Sequence, residues 1–156
     1  MSRAILIGLL SSMAGLAFNA LSPGRIPYIY RQPHSITLPG GEARIAEVAE
    51  AYALFQKGAA VFIDARPADQ YLTGHIAGAL SLPAYEADSY LDALLSQVSP
   101  ETTLVAYCSG AECDESHRTA EVLMQVGYRN IVIFASGFPA WQRAGFPVET
   151  GDRGSP

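Results

Sequence analysis

The chain has 156 residues, of which 49% are hydrophobic and 16% charged, and its net charge is −5. This length and apolar content are enough to bury the core of one domain, which excludes a largely disordered chain. Ten Lys and Arg residues stand against fifteen Asp and Glu residues. No basic face is therefore available to neutralise nucleic-acid phosphates, and we expect no nucleic-acid partner. The two cysteines are too few for a disulfide-rich scaffold.

The N-terminal segment is apolar. Residues 4–21 carry no charge, and Arg3 stands just before them. As a helix this segment would extend about 27 Å, close to the roughly 30 Å of a bilayer's hydrocarbon core. We therefore expect residues 1–21 to be a membrane-targeting helix that stays uncleaved as an anchor. A cleaved signal peptide and a buried helix of a soluble domain are the alternatives.

The side of the membrane follows from the charges beside this segment. A short N-terminal tail with one or two charges usually stays inside, so we expect an exported, extracytoplasmic domain. The cytoplasmic side is the alternative, because Arg25 and Arg31 follow the segment and nearly balance the charges before it.

A proline-rich stretch comes next. Residues 22–41 contain four prolines and no acidic residue, a composition typical of an extended linker. We place the domain at residues 42–150 and a short tail at residues 151–156.

Helical and strand patterns alternate along the domain. Apolar residues at helical spacing predict three helices, and short apolar runs predict four strands among them. The predicted helices cover residues 47–56, 85–98 and 114–126, and the predicted strands cover residues 60–63, 79–82, 103–107 and 131–134. Because strands that alternate with helices form mostly parallel sheets covered on both faces, we expect an α/β fold.

Cys108 directly follows the predicted strand 103–107, and the loop after it leads into the helix that begins near Asp114. A thiol at this position faces free backbone N–H groups and the positive end of a helix dipole, which favour the nucleophilic thiolate. The alternative is a buried, unreactive cysteine at the end of a strand. With Cys108 as the catalytic residue, the substrate-binding loop consists of Ser109, Gly110, Ala111, Glu112, Cys113 and Asp114.

Several stretches of the sequence resemble one known family. They are VFIDAR at 61–66 with YLTGHIAGA at 71–79, AYCSG at 106–110, and SGFPAW at 136–141. In this order, across residues 44–148, they resemble the signatures of the single-domain rhodanese-like (thiosulfate sulfurtransferase) family. The loop, with its second cysteine, resembles that of a bacterial variant of the family, some members of which are membrane-associated.

The resemblance implies a rhodanese-like fold with a central five-stranded, mostly parallel sheet and helices on both faces. It also implies a cysteine, by position Cys108, that becomes a persulfide and passes its outer sulfur to a nucleophile without a cofactor or metal. The partners would be a small-molecule or protein sulfur donor and a thiol acceptor. Asp64 and Arg66 match positions that support the loop structurally.

The chain departs from the family pattern in three places. Gln70 stands where the family usually has Glu, and Ser136 replaces the first glycine of the third signature. The loop itself is acidic, with Glu112, Asp114 and Glu115, where thiosulfate-using members carry cations. Negative charge repels a dianionic donor and disfavours a thiolate, so we expect thiosulfate to be a poor substrate.

Two other functions fit the same residues. In the first, the protein is a thiol redox protein in which Cys113 is a resolving thiol. It attacks an oxidised or persulfidated Cys108 and either releases the sulfur or closes a disulfide. In the second, the protein is a membrane-tethered binding module. A phosphatase would need an arginine where Asp114 stands, and two cysteines alone offer too few ligands for zinc.

Overall fold

The computed structural model describes most of the chain, namely Gly15, Ala17, Phe18 and residues 35–110 and 113–151. The chain divides into two units, Met1–Gln32 and Pro33–Pro156. In the first unit the described residues are helical. None of the helices in the described part of the chain is both long and apolar enough to cross a bilayer.

Some of the sequence predictions concern residues that the structure does not describe. These are the membrane-targeting segment apart from the three positions named above, the linker up to residue 34, the tail from residue 152, and Ala111 and Glu112 of the loop. What the sequence indicates for these residues stays a prediction.

The second unit is an α/β fold of short strands and helices. Its strands are β1 (Ser35–Leu38), β2 (Gly41–Ala46), β3 (Val61–Asp64), β4 (His75–Ile76), β5 (Leu80–Ser81), β6 (Leu104–Tyr107), β7 (Ile131–Phe134) and β8 (Val148–Glu149). Its helices are α1 (Val48–Gln56), α2 (Ala68–Thr73), α3 (Asp88–Gln97), α4 (Glu115–Gln125) and α5 (Gly137–Arg143). The predicted alternation of strands and helices is confirmed.

Within the described residues, six strands form the main sheet, in the spatial order β1-β2-β7-β6-β3-β5. Neighbouring strands are parallel except β1 and β2, which are antiparallel. The prediction of a mostly parallel sheet is therefore confirmed, whereas the predicted five strands correspond to the parallel ones alone. Tyr107 at the end of β6 pairs with Asp64 of β3 and with Phe134 of β7. The carboxyl ends of these three strands consequently meet at one end of the sheet.

The extra strand lies in the predicted linker. Residues Ser35–Leu38 pair with Gly41–Ala46 as an antiparallel hairpin, and Gly40 in the turn has a φ of 104°, a conformation that favours glycine. The side chain of Leu38 is buried in the core. Pro39 and Gly40, which belong to the composition that predicted an extended linker, form a tight turn here, so the fold begins before residue 42.

Apolar side chains cover the sheet on both faces. Successive residues of a strand point to opposite faces, and in β7 Ile133 joins one buried cluster while Phe134 joins the other. Leu94 of α3 and Leu123 of α4 belong to the first cluster, and Trp141 of α5 belongs to the second. The predicted coverage of both faces by helices is confirmed.

A small second sheet ties the end of the domain to its middle. Strands β4 and β8 pair antiparallel, with His75 opposite Glu149. The N–H of Gly151 donates a hydrogen bond to the carbonyl oxygen of Leu72 over 2.9 Å. The sequence did not predict these strands, because two residues are too few to show a periodic pattern.

Candidate active site at the carboxyl end of β6

Cys108 is the first residue after β6, and it is fully buried. Its carbonyl oxygen accepts a hydrogen bond from the N–H of Phe138, in the first turn of α5, over 2.9 Å. The preceding residue, Tyr107, is paired with both neighbouring strands. The structure thus places Cys108 at the end of a central strand, where the apolar run 103–107 predicted it.

The loop after Cys108 lies directly against the start of α5. Gly137 has a φ of 62°, and a Cβ atom on it would lie 2.3 Å from the carbonyl oxygen of Cys108 and 2.7 Å from the N atom of Gly110. Only a glycine permits this approach. Ser136, which replaces the other glycine of the signature, has a φ of −70°, so a side chain is tolerated there.

A disulfide bond joins Cys108 to Cys113. Their Cα atoms are 6.6 Å apart, within the range that a disulfide can bridge. Gly110 between them has a φ of 135°, and its carbonyl oxygen accepts a hydrogen bond from the N–H of Cys113 over 3.1 Å. These bends bring the two sulfur atoms together. The structure therefore shows the oxidised state, and Cys108 must be reduced before it can act as a nucleophile.

Ser116 lies beside the sulfur of Cys108. It is 1% exposed, in the first turn of α4, and its Oγ atom is 3.5 Å from the Sγ atom of Cys108. In the reduced protein this hydroxyl can donate a hydrogen bond to the thiolate and stabilise it. Sequence analysis did not single out Ser116. The sequence feature that could have identified Ser116 is its position in the first turn of the helix that follows the loop.

Glu115 lies beside the other sulfur. Its Oε2 atom is 3.3 Å from the Sγ atom of Cys113. Burial raises the pKa of Glu115, the negative charges of Asp114 and Asp64 raise it further, and the positive charge of Arg66 lowers it. The carboxylate of Glu115 is therefore a stronger base than that of an ordinary glutamate.

Asp64, the last residue of β3, and Arg66 form a buried ion pair. The guanidinium donates hydrogen bonds of 2.9 and 2.5 Å to the two carboxylate oxygens, and one of 2.7 Å to the carbonyl oxygen of Gly74. Burial lowers the pKa of Arg66, but its hydrogen bonding and attraction to Asp64, together with its interaction with Tyr107, outweigh burial, so the pKa is raised. The guanidinium also lies 4.1 Å from the ring centroid of Phe138. The pair thus contacts the residue whose N–H bonds the Cys108 carbonyl.

Polar side chains interact on the exposed side of the loop. The hydroxyl of Ser109 donates a hydrogen bond of 3.4 Å to Oε1 of Gln70, so Gln70 contacts the loop although the family usually has Glu there. The hydroxyl of Tyr85 donates one of 3.4 Å to Oδ1 of Asp114. The guanidinium of Arg118 lies 5.0 Å from the ring centroid of Tyr85. Arg118, which sequence analysis did not single out, thus contacts the tyrosine whose hydroxyl bonds Asp114.

Cys108, Cys113 and Glu115 also form a cluster of possible metal ligands, with all ligand atoms within 4.8 Å of one another. Cysteine binds metals as the thiolate, and here the two sulfurs are bonded to each other. In this oxidised state the cluster offers only a carboxylate.

Comparison with known proteins gives the family. The family model of the rhodanese-like domain matches residues 47–144 of this chain. An HTH-type transcriptional regulator of Mycobacterium tuberculosis is 31% identical over 96 residues, which are 62% of this chain and 40% of the regulator. A dual specificity phosphatase of Arabidopsis thaliana is 32% identical over 95 residues, 55% of this chain and 64% of the phosphatase. The thiosulfate sulfurtransferase GlpE of Actinobacillus pleuropneumoniae is 27% identical over 101 residues, 65% of this chain and 88% of GlpE.

A solved structure shares the fold. It is that of EanB with a cysteine persulfide in a tetrahedral intermediate state with ergothioneine, and it superposes with a TM-score of 0.58 and 30% identity. The match covers 67% of this chain but 27% of EanB. The match to the transcriptional regulator likewise covers only part of the regulator, 40% of its length. What this chain shares with such larger proteins is one domain. On the match over residues 47–144 and the parallel sheet around Cys108, the chain belongs to the rhodanese-like family.

Proposed function

We propose that the protein is a sulfurtransferase that carries a sulfane sulfur on Cys108 as a persulfide. The observation that carries this proposal is the place of the Cys108 sulfur, at the carboxyl end of a central strand and 3.5 Å from the hydroxyl of Ser116 in the first turn of α4. Ligands of open parallel sheets bind at this end, and a helix N-terminus and a hydroxyl both stabilise negative charge. Two similar proteins support the same chemistry: GlpE is described as a thiosulfate sulfurtransferase, and the EanB structure contains a cysteine persulfide.

The chemistry balances without a cofactor. In the reduced protein the Cys108 thiolate attacks the outer sulfur of a persulfide donor. The S–S bond of the donor breaks, the donor leaves as a thiolate, and Cys108 holds the sulfur as a persulfide. An acceptor thiolate then attacks that outer sulfur, and the Cys108 thiolate leaves. The sulfur keeps its oxidation level throughout, so no external oxidant is required.

A persulfide suits the site better than thiosulfate as the donor. Asp114 and Glu115 place carboxylates beside the loop, and the described residues show no ion pair between Arg118 and either of them. A dianion approaching net negative charge is repelled. We therefore propose a persulfide of low molecular weight or of a protein as the donor, and a thiol as the acceptor.

One relative is named a dual specificity phosphatase, but phosphatase chemistry is less well supported for this chain. A cysteine phosphatase needs a cation that grips the phosphate. Arg66 is bonded to Asp64 and to the Gly74 carbonyl, and Asp114 stands at the end of the loop. The observed residues thus favour sulfur transfer.

The disulfide between Cys108 and Cys113 supports a second candidate, a thiol redox protein. Such a protein would cycle between the dithiol and the disulfide without carrying a sulfur atom. The binding module, the third possibility from the sequence, has no observation of its own in its favour.

Intact-mass analysis separates the first two candidates. The full-length Cys113→Ser variant, which cannot form the disulfide, is reduced and incubated with glutathione persulfide. We expect its mass to increase by one sulfur atom, and the Cys108→Ser/Cys113→Ser variant to gain nothing. If neither variant gains sulfur from a persulfide, thiosulfate or 3-mercaptopyruvate, while the wild type still cycles between dithiol and disulfide, the redox candidate is favoured.

We also propose that residues 1–21 attach the domain to a membrane, with the domain on the exported side. The support is the uncharged composition of residues 4–21. An anchored full-length chain stays with membranes at high salt and keeps its uncleaved mass. A chain found entirely in the soluble fraction, or shortened near residue 20, would contradict the anchor.

A further inference from the structure

Cys113 has two contacts that a reaction could use. Its Sγ atom is bonded to the Sγ atom of Cys108, and it lies 3.3 Å from the Oε2 atom of Glu115. The first contact shows that the loop permits Cys113 to reach the sulfur that would carry a persulfide. The second places a carboxylate where a proton would leave the Cys113 thiol.

We propose that Cys113 resolves the Cys108 persulfide, with Glu115 accepting the proton of its thiol, so that the sulfur leaves as hydrosulfide. This deepens the proposed function and rests on it, because it requires a persulfide on Cys108. It makes the protein a persulfide reductase in outcome: the donor's sulfane sulfur is released as sulfide, and the protein is left with the observed disulfide.

The step balances in atoms and electrons. The Cys113 sulfur, as its proton passes to Glu115, attacks the inner sulfur of the persulfide, which is the sulfur of Cys108. The bond between the inner and outer sulfurs breaks, and the outer sulfur, protonated as the hydropersulfide before the attack, leaves with the electron pair as hydrosulfide. The two cysteines are oxidised to the disulfide, and the sulfane sulfur is reduced to sulfide. A thiol or dithiol reductant then restores the two cysteines.

Burial favours this internal reaction over attack by an external thiol. Cys108 is fully buried, whereas Cys113 is half-buried. A nucleophile held in the same loop has a high effective concentration, which an external thiol lacks. The reductant, in contrast, reaches the more exposed sulfur, that of Cys113.

The charges around Glu115 adapt it to take this proton. Burial raises its pKa, Asp114 and Asp64 raise it further, and Arg66 acts in the opposite direction. A carboxylate with a raised pKa is closer in basicity to a thiolate, which improves proton transfer. Besides these three charged groups, the Sγ atom of Cys113 lies 3.3 Å from the Oε2 atom of Glu115.

A single turnover of the full-length protein tests the proposal. The reduced wild type and its variants receive one equivalent of glutathione persulfide with no other thiol added, and released sulfide and intact mass are followed over time. We expect the wild type to release one equivalent of sulfide and to end as the disulfide. The Cys113→Ser variant should keep its sulfur until dithiothreitol is added. The intact mass of the Cys113→Ser variant also distinguishes a persulfide on Cys108 from a mixed disulfide with glutathione.

Glu115→Gln separates proton transfer from a structural role. We expect sulfide release at neutral pH to slow about tenfold, and the defect to vanish above about pH 9, where the Cys113 thiol ionises unaided. Glu121→Gln, a glutamate change in the same helix, serves as the matched control and should behave as the wild type. A defect independent of pH would overturn the role of Glu115.

The outcomes distinguish the two proposals. If Cys113→Ser does not gain sulfur, the sulfurtransferase itself is contradicted. If Cys113→Ser gains sulfur and releases sulfide as fast as the wild type, or if the wild type holds its sulfur without release, the resolving role of Cys113 is overturned while sulfur loading on Cys108 stands.

Discussion

Gly137 and Cys108 are in backbone contact, since a Cβ atom on Gly137 would lie 2.3 Å from the carbonyl oxygen of Cys108. The same contact sets the adjoining hydrogen bond, from the N–H of Phe138 to that oxygen over 2.9 Å. The start of α5 therefore fixes the backbone position of the candidate nucleophile.

This contact predicts that Gly137→Ala destabilises the fold and disturbs the loop. The left-handed φ of 62° and the clash with Cys108 should together lower the free energy of unfolding by about 2 kcal/mol or more. Gly145→Ala is the control, because Gly145 also has a left-handed φ, 71°, but nothing within 4 Å of its Cβ position. Urea unfolding measures both. Equal losses in the two variants would show that the contact with Cys108 is unimportant.

Ser116→Ala is expected to make reduced Cys108 less reactive. Loss of a hydrogen bond to a charged group, worth about 1.5 kcal/mol or more, should move the pH of half-maximal alkylation upward by about one unit. Peptide mass analysis after iodoacetamide treatment follows Cys108 separately from Cys113. Ser96→Ala, in α3, provides the control. An unchanged pH profile in the Ser116 variant would mean that its hydroxyl does not reach the thiolate.

Two ion pairs among the described residues should differ in their contribution to stability. Arg66→Met leaves the carboxylate of Asp64 buried and unpaired, since the side chains of this pair are 6% and 0% exposed, and should cost about 3 kcal/mol or more. Arg44→Met breaks the pair with Glu50, whose side chains are 58% and 44% exposed, and should cost about 1 kcal/mol or less. Chemical unfolding of both variants checks the difference, and similar losses would refute it.

The raised pKa of Glu115 predicts that the stability of the fold depends on pH. Its pKa is raised above the ordinary 4.5, first by burial and then by Asp114 and Asp64, against Arg66. The folded state therefore holds this proton more tightly than the unfolded state, and stability falls as pH rises through the raised pKa. Glu115→Gln should melt at a higher temperature than the wild type at pH 7 and at nearly the same temperature below pH 4.5. A constant difference across this range would contradict the assignment.

Asp114→Asn tests the charge of the loop. Removing this carboxylate should raise kcat/KM for thiosulfate by about threefold, the size expected for an exposed charge, and the gain should shrink at high salt. Donors without a second negative charge should gain less. Asp92→Asn, which makes the same change of net charge on α3, is the control. A gain as large in the control would assign the effect to net charge rather than to the loop.

Much of the fold follows from local sequence pattern. The run 131–134 gives β7 with the predicted bounds, and the helix predicted at 114–126 is α4 within one residue at each end. The hairpin of β1 and β2 was missed because Pro39 and Gly40 also suit a linker. Strand β2 is recognised only through its pairing with β7, which is distant in sequence.

The site was predictable only in part, for the same reason. The position of Cys108 follows from the end of an apolar strand, and the loop follows from the distance to the next helix. The contacts of Ser116 and Glu115 with the two sulfurs depend on how the loop closes onto α4. No spacing rule encodes that closure, so Ser116 and the contact of Glu115 with Cys113 emerge only from the structure.

The hairpin and β8 also determine where the domain can be cut. The family match ends at residues 47 and 144, but β2 pairs with the inner strand β7 and β8 pairs with β4. A fragment trimmed to the family match would expose the edge of β7 along its length, and an unpaired apolar strand edge invites association with other chains. An expression fragment of this domain should therefore begin no later than Ser35 and extend through Gly151.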